Sequence, residues 1–338
     1  MVRILAAIAV VLSIGFANPA LAQTGTEYQR EVDELATYTL QFKAITEDLY
    51  AVMDPTDQAD AALAAFETGD ITDVEALGII QQARADVKQR ALTLRAQFQA
   101  IGAPPEFKLI DKDVVVMTPE GFSDMLRSVE GLTNSLLDIN VQLIEGDEDA
   151  LAAQTDQILE RARVLINIGN KLIESDLVSL GDMNHPQKAV LRSGINSNNV
   201  SLLIIEMQFA RWSGDTDTVA AYLEELDDLR VLHKTYIAQG KADQDDLKAQ
   251  LQIGLLSSRG SDRAFIRKVI GMVDAYDAAW VIENNFVEAI ESYQAVTKTD
   301  KSDEDQMDVN DEIFLDALIL AEDQRSAEIF ARVELMSN

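Results

Sequence analysis

The chain reads as an all-α protein, an antiparallel bundle of long helices, and three features of the sequence carry that expectation. Apolar residues recur at spacings of three and four over long stretches, which places them on one helical face. The 6 prolines and 16 glycines fall almost entirely where that period breaks. The joints between periodic stretches repeat a Gly-Asp pair, at Gly69-Asp70, Gly146-Asp147 and Gly214-Asp215. Glycine suits the left-handed residue that ends a helix, and a following Asp or Thr can cap the next one.

The first element is a leader. Arg3 is followed by the apolar run Ile4 to Phe16, then by Pro19, Ala20 and Ala22. This is the layout of a signal peptide, with cleavage expected between Ala22 and Gln23 and a mature chain in the periplasm or outside the cell. The apolar run is shorter than the ~20 residues that span a bilayer, and no cysteine follows it to carry a lipid. Later on, Val200 to Ile205 is the most apolar stretch and ends at Glu206, so no transmembrane anchor is expected in the mature chain.

An N-terminal helical hairpin is expected over 23–101. Leu35, Tyr38, Phe42, Ile45, Leu49 and Val52 make its first stripe, and Ile80, Ala83, Val87, Leu94, Phe98 and Ile101 its second. Thr72 and Glu75 have the spacing of a capping box at the start of the latter helix. Residues 102–117 read as a linker, opened by Pro104-Pro105 and closed by the β-branched run Val114 to Val116.

Thr118 before Pro119 starts the next helix, because proline is tolerated in a first turn. From there Phe122, Met125, Val129, Leu132, Leu136, Ile139 and Leu143 alternate spacings of three and four without a slip. Two more helices repeat the period, one through Ile158, Ala162, Leu165 and Gly169, the other through Leu191, Ile195, Asn198, Leu202, Ile205 and Phe209. Short joints make neighbours antiparallel, so 118–240 is expected to form a central four-helix bundle with a coiled-coil-like seam. The helices of 241–338 would then pack with 23–101. A continuous helical-hairpin array is the alternative.

Composition removes whole classes of chemistry. With no cysteine in 338 residues there is no disulfide, thiolate metal site or covalently held haem. A formal net charge of -30 disfavours nucleic acid and anionic lipid as partners. No nucleophile–base motif and no phosphate-cradling glycine loop appears, and no cofactor is expected.

The two histidines, His185 and His233, are isolated in the sequence. His185 precedes Pro186 and reads as a helix-entry residue. His233 follows Glu224, Glu225, Asp227 and Asp228, which read as a solvated face. Neither histidine has the Glu three residues earlier that a di-iron bundle requires, so no metal site is assigned. Asp300, Glu304, Asp308 and Asp311 form a weak acidic loop that lacks the glycine and the final Glu of a calcium loop.

What stands out is polarity inside a seam. Asn198 occupies a core position, and in a hairpin turning near Met183 its level is Gly169, flanked by Asn167 and Asn170. Arg192, Asn196 and Asn199 make a stripe beside it, and the low helix propensity of Ser193 to Asn199 suggests a kink there. These six residues, Asn167, Asn170, Arg192, Asn196, Asn198 and Asn199, either fix helix register or line a pocket for a small polar solute.

The expected function is that of an exported protein-interaction or scaffold module in the cell envelope, with an envelope protein as partner. The alternative is a solute-binding or sensory bundle with a polar pocket near Asn198. A carboxylate-based hydrolase ranks below both, since it needs two acids facing across a cleft.

Overall fold

In the computed structural model every regular element among the described residues is an α-helix, as the periodicity requires. The structure describes residues 26–41, 45, 48–49, 51–102, 105–106, 119–146, 148–180, 184–299 and 304–337. The leader, the Val114 to Val116 stretch and Asp300 lie outside them. The helices are α1 (Thr26–Leu40), α2 (Pro55–Glu67), α3 (Asp73–Ile101), α4 (Pro119–Glu145), α5 (Glu148–Ser179), α6 (Pro186–Trp212), α7 (Thr216–Ser257), α8 (Gly260–Thr299) and α9 (Glu304–Ser337).

Local chemistry sets the ends of these helices. Gly69, Gly146 and Gly214 have φ of 77°, 70° and 73°, the left-handed region in which a side chain would be strained. At the first and last of these, the Asp that follows donates its N–H back across the joint, to Ala65 O and to Ala210 O. Thr72 Oγ1 accepts from Glu75 N–H while the Glu75 carboxylate accepts from Thr72 N–H, so the capping box is complete. Asp215 caps α7 by accepting from Thr218 N–H, and His185 caps α6 by accepting from Gln187 N–H at 3.1 Å.

From α2 onward each helix packs on the next, α2 also reaches α4, and α9 returns to α1. The helix expected to stop near Ala238 does not stop: α7 continues unbroken to Ser257, so a boundary at 240 falls inside a helix. Gly240 is held there by packing. A Cβ on it would lie 2.2 Å from the Trp280 ring and 2.7 Å from Ala189 Cβ. The expected loop before the last helix is also shorter, since α9 begins at Glu304. Glu304, Asp308 and Asp311 thus fall in its first turns, with side chains outside the described ones. Ser193 to Asn199 stays helical within α6. Burial offsets its poor propensity: Ser193, Asn196, Ser197 and Asn198 all face the interior.

The apolar core has three parts. The largest runs from α2, α3 and α4 through α5 and α6 to Phe286 and Ile290 of α8 and Phe314 and Leu318 of α9. A second joins α1, through Leu35 and Ala36, to Ile173, Leu251, Val269, Met272 and Val333. A third is small and lies around Val190, Ile237, Tyr276 and Trp280. Between the first part and the other two, helices α6 to α9 meet through polar side chains.

Candidate functional site

Each of the four helices α6 to α9 contributes one polar residue to a common level: Asn196, His233, Glu283 and Arg325. Their exposures are 2%, 0%, 0% and 1%. In α8 the seam runs Tyr276, Trp280, Glu283, Val287, Ile290, and in α9 it runs Phe314, Leu318, Ala321, Arg325. Both follow the three-four period, so backbone geometry drives these charges inward.

The Arg325 guanidinium meets Glu283 as a two-pronged fork. Nε donates to Oε1 and Nη2 to Oε2, each at 2.8 Å. His233 Nε2 lies 2.8 Å from Oε2. On the other side of that ring, Asn196 Nδ2 donates to Leu229 O at 3.0 Å and stands 3.1 Å from His233 Nδ1. The Leu229 carbonyl fixes which way the amide points, so Nδ1 must accept and Nε2 carries the proton toward Glu283. The imidazole also packs on Phe286, with centroids 4.8 Å apart and the rings tilted by 34°. Burial alone would raise the Glu283 carboxyl, but the Arg325 charge and hydrogen bonds, with His233, outweigh it and hold it down at about 2. The layer is therefore an ionised, internally neutral pair.

A second polar level lies toward the start of α6. Gln187 Oε1 accepts from Tyr276 OH at 2.7 Å and from Arg332 Nη1 at 2.8 Å. The Arg332 guanidinium sits 4.1 Å from the Tyr276 ring centroid, and its Nε is 2.6 Å from Glu328 Oε1. Trp280 Nε1 donates to Gln244 Oε1 at 2.6 Å, while Gln244 Nε2 donates to Val273 O and to Asp277. Burial pushes Tyr276 up to about 12. It pulls His185 down to about 4, assisted by the charges of Arg332 and Lys188. Glu328 is raised, by burial first, with Arg332 opposing.

The six residues singled out in the sequence do not converge on one space. Asn198 is fully buried and donates from Nδ2 to Asn170 Oδ1 at 2.7 Å, and Asn170 donates to Asn199 Oδ1 at 3.2 Å. That bond confirms the hairpin register, with Asn198 level with Gly169 and Asn170. Asn196 points the other way, into the α7 interface. Asn167 and Arg192 are exposed. The Asn198 Oδ1, Asn196 Oδ1 and Ser193 Oγ atoms are buried with no hydrogen-bond partner.

Sequence reasoning missed Glu283 and Arg325, and it read the carboxylates that precede His233 as a solvated face without assigning the histidine a partner. Glu224, Glu225 and Asp228 are indeed exposed, but His233 is turned away from them into the core. The signal was a strict period that includes polar residues, hidden when only apolar residues are counted.

Glu283 and Glu328 have pKa values pushed apart, the combination an acid–base pair needs. Both are buried against arginines, Glu283 on Arg325 and Glu328 on Arg332. Among the described residues no three His, Cys, Asp or Glu side chains converge as metal ligands, and no helix is long and apolar enough to cross a membrane. The chain matches no family model, no curated protein and no solved structure.

Proposed function

We propose that this chain is an exported interaction or scaffold module of the cell envelope, in which long helices present binding surfaces to a protein partner and no reaction is run. The observation that carries this reading is the closure of the polar centre on itself. Glu283 has both oxygens engaged and is held far below neutrality, so it is a poor base, and a forked buried arginine is not free to bind a substrate anion. Such a layer fixes which helices meet and at what level, which suits a rigid platform. The leader layout and the acidic composition support export of a protein that stays dispersed.

Fractionation of cells producing the chain from its own leader tests the address. A product beginning at Gln23 in the envelope fraction is expected, and full-length chain in the cytosol would sink the export reading. Crosslinking with mass spectrometry in the same fraction tests the role. One recurrent partner, joined at exposed helix positions, is expected; crosslinks confined to this chain would remove the scaffold reading.

A second reading, a solute-binding bundle, is favoured by the unpartnered buried acceptors Asn196 Oδ1, Asn198 Oδ1 and Ser193 Oγ. They would accept hydrogen bonds from a small donor-rich solute. A metabolite panel that raises the melting temperature would support it, since a ligand binding only the folded state stabilises it. A panel without any shift counts against it.

A further inference from the structure

The tip of the α7–α8 hairpin carries charge of the opposite sign to the rest of the molecule. The whole chain has 58 acidic residues against 28 basic ones. Between Asp246 and Asp274, however, the balance is five basic residues, Lys248, Arg259, Arg263, Arg267 and Lys268, to one acid, Asp262. The two lysines are taken up, Lys248 by Asp274 at 3.0 Å and Lys268 by Asp33 at 3.6 Å. Arg259, Arg263 and Arg267 are exposed, and none has a carboxylate in ion-pair reach among the described residues. Elsewhere Arg90, Arg95, Arg163 and Arg230 each hold an acid, Arg161 is spent on the Gly131 carbonyl, and the exposed Arg192 stands singly on α6. Three unpaired guanidiniums so close together, in a chain with a large excess of carboxylates, are a local design of the tip.

Apolar side chains share that tip. Leu256 is 85% exposed and Ile253 69% exposed, the former more so than any other large apolar side chain among the described residues. They stand one turn apart at the end of α7. Arg259 is in the joint, closed by Gly260 at φ 57°, and Arg263 and Arg267 follow within about two turns, or ~11 Å, on α8.

We propose that this tip docks on an anionic phospholipid surface, with Ile253 and Leu256 entering the headgroup–acyl boundary and the three arginines binding lipid phosphates around them. The shape favours lipid over an acidic protein. The tip is the turn between two helices, and a soft interface accepts its two exposed aliphatic side chains without a matching socket. Arginine side chains at such a boundary lay their stems along the apolar layer and leave the charge at headgroup level.

Net charge alone argues against anionic lipid, but charge acts locally in salt. Screening falls off over about 8 Å at physiological ionic strength. About 20 Å of α7 lies beyond Gln244, while α6 begins close to that level at Pro186. The carboxylates of α6 are thus held back from a surface that the tip touches, and the Asp33 carboxylate of α1, which reaches the tip, is taken up by Lys268. This inference goes beyond the scaffold reading and does not rest on it.

The test is sedimentation of the chain from Gln23 onward, so that the apolar leader adds no lipid affinity of its own, with vesicles of phosphatidylglycerol and phosphatidylcholine in equal parts. Binding to these vesicles, weakening with added salt and absent on pure phosphatidylcholine, is the expected result. At roughly fivefold per basic residue, the triple variant Arg259→Gln/Arg263→Gln/Arg267→Gln should bind about a hundredfold more weakly. Ile253→Ser/Leu256→Ser should also weaken binding, and both variants should keep the helical circular dichroism of the parent because every altered side chain is exposed. Equal binding to neutral vesicles, or full binding by either variant, overturns the proposal. So does tight binding to polyglutamate with none to anionic vesicles, which would assign the tip to an acidic protein.

Discussion

Replacing Arg325 with methionine should destabilise the protein strongly at neutral pH and far less in acid. Methionine keeps much of the aliphatic stem and deletes the guanidinium, leaving the fully buried Glu283 with His233 as its remaining polar partner among the four residues of the layer. Two charges about 4 Å apart interact by about 4 kcal/mol at an effective dielectric of 20. The folded variant can avoid that loss by taking up a proton. Keeping a carboxyl of ordinary pKa about 4.5 neutral at pH 7.5 costs about 4 kcal/mol, so the two routes agree. In the parent, Glu283 is depressed to about 2, so its contribution is present above pH 4.5 and fades as the pH falls toward 2. In the variant the folded pKa is raised, so stability is highest in acid and falls as pH rises through 4.5. Urea unfolding followed by circular dichroism at several pH values reads the difference: about 3 to 4 kcal/mol at pH 7.5, shrinking toward pH 4.5. The double variant Glu283→Gln/Arg325→Met removes both charges and should lie well above the Arg325→Met single at pH 7.5. A single-variant loss below about 1 kcal/mol that does not change with pH, or a double variant as weak as the sum of the singles, would refute the ionic layer.

Three further outcomes follow from the geometry. His185 is held neutral at about 4, below its ordinary 6.5, so its contribution is complete above pH 6.5 and is lost as pH falls toward 4, by about 3 kcal/mol; His185→Asn keeps a capping side chain and should flatten the stability curve between pH 6.5 and 5, and an unchanged slope there would contradict this. Gly240→Ala places a methyl 2.2 Å from Trp280, so overpacking of about 1 to 3 kcal/mol should outweigh the helix-propensity gain of about 1 kcal/mol; the melting temperature should fall and the Trp280 fluorescence change, and a more stable variant would show that the contact relaxes freely. Asn198→Leu removes a buried Oδ1 that has no donor together with the bond to the part-exposed Asn170 Oδ1, which water can take up, so the urea midpoint should change little; a loss above about 2 kcal/mol would mean that a bound solute or water satisfies the Asn198 oxygen.

Much of the fold was legible because it is written in local chemistry. The capping box at Thr72 and Glu75, the left-handed glycines and the level of Asn198 against Gly169 all follow from residues close in sequence, or from one short hairpin. The ionic layer was harder to see because its partners come from different helices, α8 supplying the acid and α9 the arginine. Still, the period was there. Phe314, Leu318, Ala321, Arg325, Glu328 and Arg332 alternate spacings of four and three as strictly as the apolar seam of α4 does, and Tyr276, Trp280, Glu283, Val287, Ile290 and Gln294 do the same. The helix through residue 240 runs on for a related reason, since Gly240 sits in the seam that runs His233, Ile237, Gly240, Gln244. A charge at a seam position cannot be buried alone, because an unpaired ion in the interior costs more than the rest of the seam returns. Glu283 in one helix therefore demands a cation at its level from another, and Arg325 is the first basic residue that the α9 seam offers. Reading charged seam residues as requests for a partner, before treating them as breaks in the pattern, recovers this pair from sequence.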